Sequence, residues 1–355
     1  MYKPLWKPAR LQGFLAVVLL SCLALFWVSC SQNNQMATNP STDLNSQMAI
    51  DPLTDLALAK RGGSGEGAGD DLQFSEWSAP VNLGPVVNSP LTDIEVAISK
   101  DGRSLYLASN RPGGFGGFDI WVSQRASVDD AWGTPQNLGP IVNTSENEQS
   151  PFLAIDGHRM YFLSNRPGGL GGNDLYVSQR HHKRDDFGWQ PPENLGGGVN
   201  TSSNENLPVR FEDILYFNSN RPGGVGATDI YASSLQPDGT FGPVVLVPEL
   251  SSPLRDAGMA IRRDGLEMIL ASDRAGSIGG FDLWSSTRPS TSDPWSTPVH
   301  LGVVVNTASG ESRLALSFDG TTLYIISDRP GGVGNLDLWV STRSKLNHGD
   351  DKDDD

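Results

Sequence analysis

The sequence predicts an all-β fold, a five-bladed β-propeller of four-stranded antiparallel blades, on three observations. A segment reading Ser109-Asn110-Arg111-Pro112-Gly113-Gly114-Phe115-Gly116 returns in variant copies led by Ser164, Ser219, Ser272 and Ser327. Its arginines, Arg111, Arg166, Arg221, Arg274 and Arg329, are separated by 55, 55, 53 and 55 residues. Eight residues after each arginine an aspartate (Asp119, Asp174, Asp229, Asp282 or Asp337) opens an alternating apolar run such as Ile120-Trp121-Val122-Ser123. A repeat of this length, in a chain with 40 glycines and 24 prolines to turn it, describes radially repeated sheets of short strands.

Each repeat divides into strands A to D. In the first, strand A is expected from Ile94 to Ser99, followed by a tight turn at Asp101-Gly102. Strand B runs from Ser104 to Ser109, and the Gly-rich loop leads to strand C, Phe118 to Gln124. Strand D follows within Trp132 to Gly139, where Pro135 suits an outer edge that needs no N–H. The D-strand aromatics are Trp77, Trp132, Trp189, Phe241 and Trp295, each 32 to 34 residues before a loop arginine. Trp77 precedes the first A strand, and the last copy stops after strand C at Arg343. Glu76 to Gly84 is therefore expected to supply strand D of the fifth blade. This N-terminal strand would close the ring and leave no open edge within residues 74–343.

The flanks read differently. Lys3, Lys7 and Arg10, the apolar run from Phe14 to Val28 and a polar stretch from Ser31 mark residues 1–30 as a secretory signal. The run is shorter than the ~20 residues of a spanning helix. Trp27-Val28-Ser29-Cys30 resembles a bacterial lipoprotein signal, which makes Cys30 the expected lipidation site. Cys22 ranks second, because cleavage there would leave Leu23 to Val28 at the new terminus. Residues 31–73 read as a flexible low-complexity linker, with a tether-like Arg61-Gly62-Gly63-Ser64-Gly65. Residues 344–355 read as an acidic disordered tail. The chain is thus expected to be exported as a monomer. It would be an outer membrane lipoprotein held by an N-terminal lipid anchor, or a periplasmic or extracellular protein.

Charge and residue types exclude several functions. With 26 basic and 41 acidic residues the net charge is −15, which disfavours nucleic acid and a polybasic grip on lipid. Both cysteines fall in the first thirty residues, so the repeats hold no disulfide, thiol nucleophile or thiolate ligand. The Gly-rich loops lack the Lys-Ser/Thr of a P-loop and sit between strands. Ser99-Lys100-Asp101-Gly102 and Ser317-Phe318-Asp319-Gly320 lack the spacing of a sialidase Asp-box and read as turns.

A third column stands just before strand A: Asp93, Glu148, Glu205, Asp256 and Glu311. Topology puts it on the same face as the loop arginines and strand C aspartates, so a ring of five carboxylates at the channel mouth is expected. Calcium could bind such a ring, since hard cations take carboxylate oxygens. A structural reading is preferred, in which each arginine bridges the acid and the aspartate of its blade, bidentate on a carboxylate.

The repeat, Ser-Asn-Arg-Pro-Gly-Gly-x-Gly-x-x-Asp followed by Ile or Leu and an aromatic, resembles the TolB-type, WD40-like (PD40) propeller repeat of bacterial envelope proteins. The resemblance covers roughly residues 74–343 and implies the propeller fold. No OmpA-like domain accompanies it, and TolB-like propellers commonly have six repeats, so neither peptidoglycan binding nor TolB's own role carries over.

Function is expected where the copies differ: Phe211-Glu212-Asp213, which replaces the Asp-Gly turn; Ala275 and Ser277 in the fourth loop; and the His181-His182-Lys183-Arg184 loop. The histidine pair reads as solvated surface, and the regularly placed tryptophans as inter-blade core. No nucleophile–base pair can be named, so no catalytic residue, metal or cofactor is assigned. The leading expectation is a non-enzymatic module that binds an envelope protein or glycan. The alternative is a glycoside-active propeller enzyme, which would show two unpaired carboxylates about 5 to 9.5 Å apart in an open pocket.

Overall fold

A computed structural model describes residues 72–346. The signal, Cys30, the linker up to residue 71 and the tail beyond 346 lie outside the described residues. Five four-stranded antiparallel sheets form the blades, with A, B, C and D as neighbours in that order. Strand A is Asp93–Ile98, Glu148–Leu153, Glu205–Phe211, Asp256–Ile261 and Glu311–Leu316 in blades one to five. Strand B is Ser104–Ser109, Arg159–Ser164, Ile214–Ser219, Glu267–Ser272 and Thr322–Ser327. Strand C is Asp119–Gln124, Asp174–Gln179, Asp229–Ser234, Asp282–Thr287 and Asp337–Thr342.

Strand D is only two residues long, as in Gln136–Asn137, and starts directly after a proline in every blade but the third, where Val244 stands between Pro243 and Val245. Pro135 cannot donate to the ladder, so pairing with strand C breaks there. It resumes on the other side, where Gly133 N–H donates to Gln124 O at 2.9 Å.

The fifth blade takes its D strand from the N-terminal side, Val81–Asn82, paired with Val340 and Trp339 of strand C. A further pair lies outside the blades, Gln73 with Leu346 and Phe74 with Lys345. The Phe74 ring is seated 3.9 Å from the guanidinium of Arg343.

Alternation along strands B and C sends side chains into both neighbouring seams, so the core is divided rather than single. Each of five buried apolar clusters joins consecutive blades. One contains Ile94, Leu105 and Leu107 of blade one with Tyr324, Ile326 and Leu338 of blade five, so the closing seam is packed like the others.

A second arginine column, at the end of strand C, secures the opposite face. Arg125, Arg180, Arg288 and Arg343 each donate Nε to the carbonyl of the A–B turn glycine, at 2.7 to 2.8 Å. Their guanidinium carbons lie 4.2 to 4.4 Å from the rings of Trp132, Trp189, Trp295 and Trp77. Blade three has Leu235 at this position and no turn glycine, so the arginine is lost together with its acceptor.

The histidine-bearing C–D loop of blade two has an anchor of its own. Asp186, 2% exposed, accepts from Ser104 Oγ, Tyr106 OH, Gln124 Nε2 and Arg180 Nη1 at 2.6 to 2.7 Å. Burial, and then the Asp186 charge, push the Tyr106 hydroxyl well above its ordinary pKa.

Candidate functional site

The repeated acids do not stand open at the channel mouth. Asp93, Glu148, Glu205, Asp256 and Glu311 are each 0% exposed and turned into their own blades. Glu148 accepts from Thr144 N and Oγ1, Ser164 Oγ and Arg166 Nη2, at 2.6 to 3.1 Å. Glu205 and Glu311 repeat this set with Thr201, Ser219 and Arg221, and with Thr307, Ser327 and Arg329. The shorter Asp93 and Asp256 meet Ser89 N and Ser252 N, with Arg111 and Arg274 at 2.6 and 2.7 Å.

The ring is therefore not the open set of carboxylates that the calcium alternative needed, because each acid is buried and accepts three or four protein donors. Among the described residues no group of three or more His, Cys, Asp or Glu side chains could hold a metal ion.

Each loop arginine meets the acid through one nitrogen. Nη2 of Arg166 also donates to Val142 O, and Nε donates to Ser164 Oγ. Among the described residues no arginine pairs with the strand C aspartate, which corrects the bridging expectation. That aspartate holds the Gly-rich loop through its backbone: Asp174 accepts from Leu170 N and Gly171 N at 2.5 and 3.0 Å, and from Asn194 Nδ2 of strand D. Asp119, Asp229, Asp282 and Asp337 receive the corresponding pair of N–H groups. His300 replaces the asparagine in blade four, with Nε2 2.8 Å from Asp282. The loop itself needs glycine twice over. Gly168 has φ 95°, and a Cβ on Gly171 would overlap the carbonyl oxygens of Thr201 and Ser203.

What faces the channel is the column two residues further on: Glu95, Ser150, Leu207, Gly258 and Arg313. In every blade the A–B register shifts here, a β-bulge on the innermost strand. Glu95, Ser150 and Leu207 have φ of 52°, 54° and 53°, a left-handed conformation that is costly for residues with a side chain. Pro151 and Pro208 follow two of them and remove N–H groups from the channel edge.

Glu95 is 2% exposed, receives the backbone N–H of Ser150 from blade two, and pairs with Arg313 Nε of blade five at 2.7 Å. Three consecutive blades thus make a polar half, while Leu207 and Gly258 make an apolar one. All five line a cavity of about 330 Å³ that runs between the A strands to the A–B turns. Sequence reasoning passed over this column. Its signal is a position where five copies share nothing, two residues from one where all are acidic.

No protein family matches the chain by sequence, and no curated protein does. Solved structures share its fold. The endo-arabinase of Bacteroides thetaiotaomicron VPI-5482 superposes with a TM-score of 0.50 at 17% identity, covering 78% of this chain and 99% of that one. An α-L-arabinofuranosidase from Lactobacillus brevis gives 0.48 at 16% identity over 76% and 96%. TolB from Acinetobacter baumannii gives 0.44 at 14% over 76% and 64%.

These findings overturn the expectation of a non-enzyme. The fold is not confined to non-enzymes, since the endo-arabinase shares it over 99% of its length, and at 17% identity that likeness shows the fold alone. The expectation rested on the lack of a nameable nucleophile–base pair, and the bulge column adds a place where the blades are not equivalent.

Proposed function

We propose that the chain is a glycoside-active propeller that takes a saccharide into its central channel, with Glu95 as the carboxylate that meets it. The observation that carries this reading is the bulge column, where a buried carboxylate, a buried hydroxyl and a leucine occupy strained backbone side by side. Strain persists only where surrounding structure over-determines it, and it concentrates at sites that hold side chains for use. A wall that is polar on one side and apolar on the other suits a sugar, which offers hydroxyls at its edge and C–H groups on its faces. Arg313 Nε and the Ser150 N–H fix both Glu95 oxygens, which gives the group the defined orientation that glycoside chemistry needs. A glycosidase sets two carboxyl groups about 5 to 9.5 Å apart across the scissile bond. Glu95 is the one the bulge column supplies, and it is held by Arg313 rather than unpaired as the sequence reading expected of such an enzyme.

The test reads turnover and binding separately on purified protein, with nitrophenyl arabinofuranoside and arabino-oligosaccharides as probes. Glu95→Gln is expected to lower kcat on the order of 100-fold or more with KM little changed. Wild-type turnover in Glu95→Gln, or binding by the wild type of neither these probes nor an acidic oligosaccharide, would overturn the proposal. Residues 1–30 support export of this domain, with Cys30 as its anchor. Loss of metabolic lipid labelling in Cys30→Ala is the expected result.

A further inference from the structure

The channel carries a charge opposite to that of the chain. Lys100, Arg210, Arg262, Arg263 and Arg313 line it against Glu95 and Glu212, in a protein of net charge −15. Two of these cations are used within the fold. Arg210 donates to Tyr161 OH and Glu212 O, and Arg262 pairs with Asp264 and Glu267 at 2.9 and 3.0 Å.

The other three keep N–H donors without a protein acceptor among the described residues. Arg313 gives Nε to Glu95, and its Nη1 and Nη2 have no protein acceptor among the described residues. Lys100 and Arg263 form no ion pair there, and both lie over the Phe318 ring, at 4.5 and 5.6 Å. Independently, Ser150 Oγ lies in the cavity wall on a residue 4% exposed and has no hydrogen-bond partner. A buried hydroxyl left unpaired has lost its water without replacement, and a ligand acceptor restores the bond.

We infer that the ligand of this channel is an acidic saccharide, an oligomer of uronic acids. One carboxylate sits on the Nη edge of Arg313 and the Ser150 hydroxyl, and another sits between Lys100 and Arg263 beside Phe318. The inference rests on the reading of the channel as a saccharide site and adds the class of sugar. Two parallel N–H donors on a planar guanidinium match the two oxygens of a carboxylate. The Nε contact already offsets the charge of Glu95, so the remaining donors face the ligand. Arg313 and Phe318 lie five residues apart on one inner strand and its turn, at most about 16 Å at ~3.3 Å per residue. A ligand that meets both is therefore an oligomer with repeated charges. Low-dielectric walls strengthen these contacts and draw anions in.

Calorimetric titration of the full protein with oligogalacturonate and with a neutral galacto-oligosaccharide of equal length tests this, at low and high salt. The acidic oligomer is expected to bind about tenfold tighter or better. That advantage should shrink as salt rises. Arg313→Gln should reduce the advantage to within about twofold. Lys100→Ala should do the same in part; its ammonium holds no ion pair, so it also serves if Arg313→Gln does not fold. Equal affinity for the two oligomers, or an advantage unchanged in both variants, overturns the acidic ligand and leaves the saccharide channel standing. Binding of neither oligomer overturns both.

Discussion

Two rings of residues lie two positions apart on the same five inner strands, and they are built on opposite rules. The outer ring repeats one arrangement five times: a buried acid, its arginine, a serine hydroxyl and a backbone N–H from the preceding loop. The ring at the channel edge repeats only its backbone bulge and fills it with Glu, Ser, Leu, Gly and Arg. A need that every blade shares is met identically in each, because every Gly-rich loop has to be held against the same seam. A ligand in the channel, as proposed above, would be shared by all five blades at once, and each would then contribute a different group to it. Sameness marks construction here, and difference marks use.

The comparison breaks most visibly on stability. Arg166→Ala leaves Glu148 charged and fully buried, a change of about 3–5 kcal/mol, read as a lower midpoint in urea. Arg313→Gln keeps a neutral amide donor within reach of the buried Glu95, on the side of the pair that is 31% exposed, and should cost less, about 1–2 kcal/mol. If the two variants melt alike, the division between the rings fails.

A smaller effect separates the loop anchor from the clamp. Asn137→Ala takes one donor from Asp119, which keeps the N–H groups of Phe115 and Gly116, and removes the acceptor of Gly139 N and Asn143 Nδ2, so a loss of about 2 kcal/mol is expected by thermal melting.

The smallest concerns pH. Burial raises the Glu311 carboxyl above its ordinary pKa, against the hydrogen bonds from Thr307 and the charge of Arg329. The folded chain then holds that proton more tightly than the unfolded chain does. The contribution to stability is full below the ordinary value and is lost as pH rises through the raised one. The stability of wild type relative to Glu311→Gln should therefore fall as pH climbs through that window.

Much of this was legible because repetition supplies its own controls. Five arginines followed at a constant interval by five aspartates define the blades, and the unpaired Trp77 shows where the ring closes. The contacts were less legible. Ser164 and Thr144 supply donors to Glu148 that sequence spacing does not reveal, and they displace the strand C aspartate from the role expected of it. The channel column was hidden because side chains that vary between copies resemble ordinary surface drift. Only the bulge, which depends on pairing between strands, turns that position inward.

The closing strand also sets an order of events. Val81 is among the first propeller residues to leave the ribosome, and its partner Val340 is among the last. Until synthesis is nearly complete, Trp77 and its neighbours have no sheet to join, and the edge of blade five does not exist. Such long-range pairing is slow, since the loop-closure entropy is lost before the contact is gained. The chain must therefore keep its leading segment soluble while four blades assemble behind it. The polar and glycine-rich residues just before Gln73 are suited to that wait.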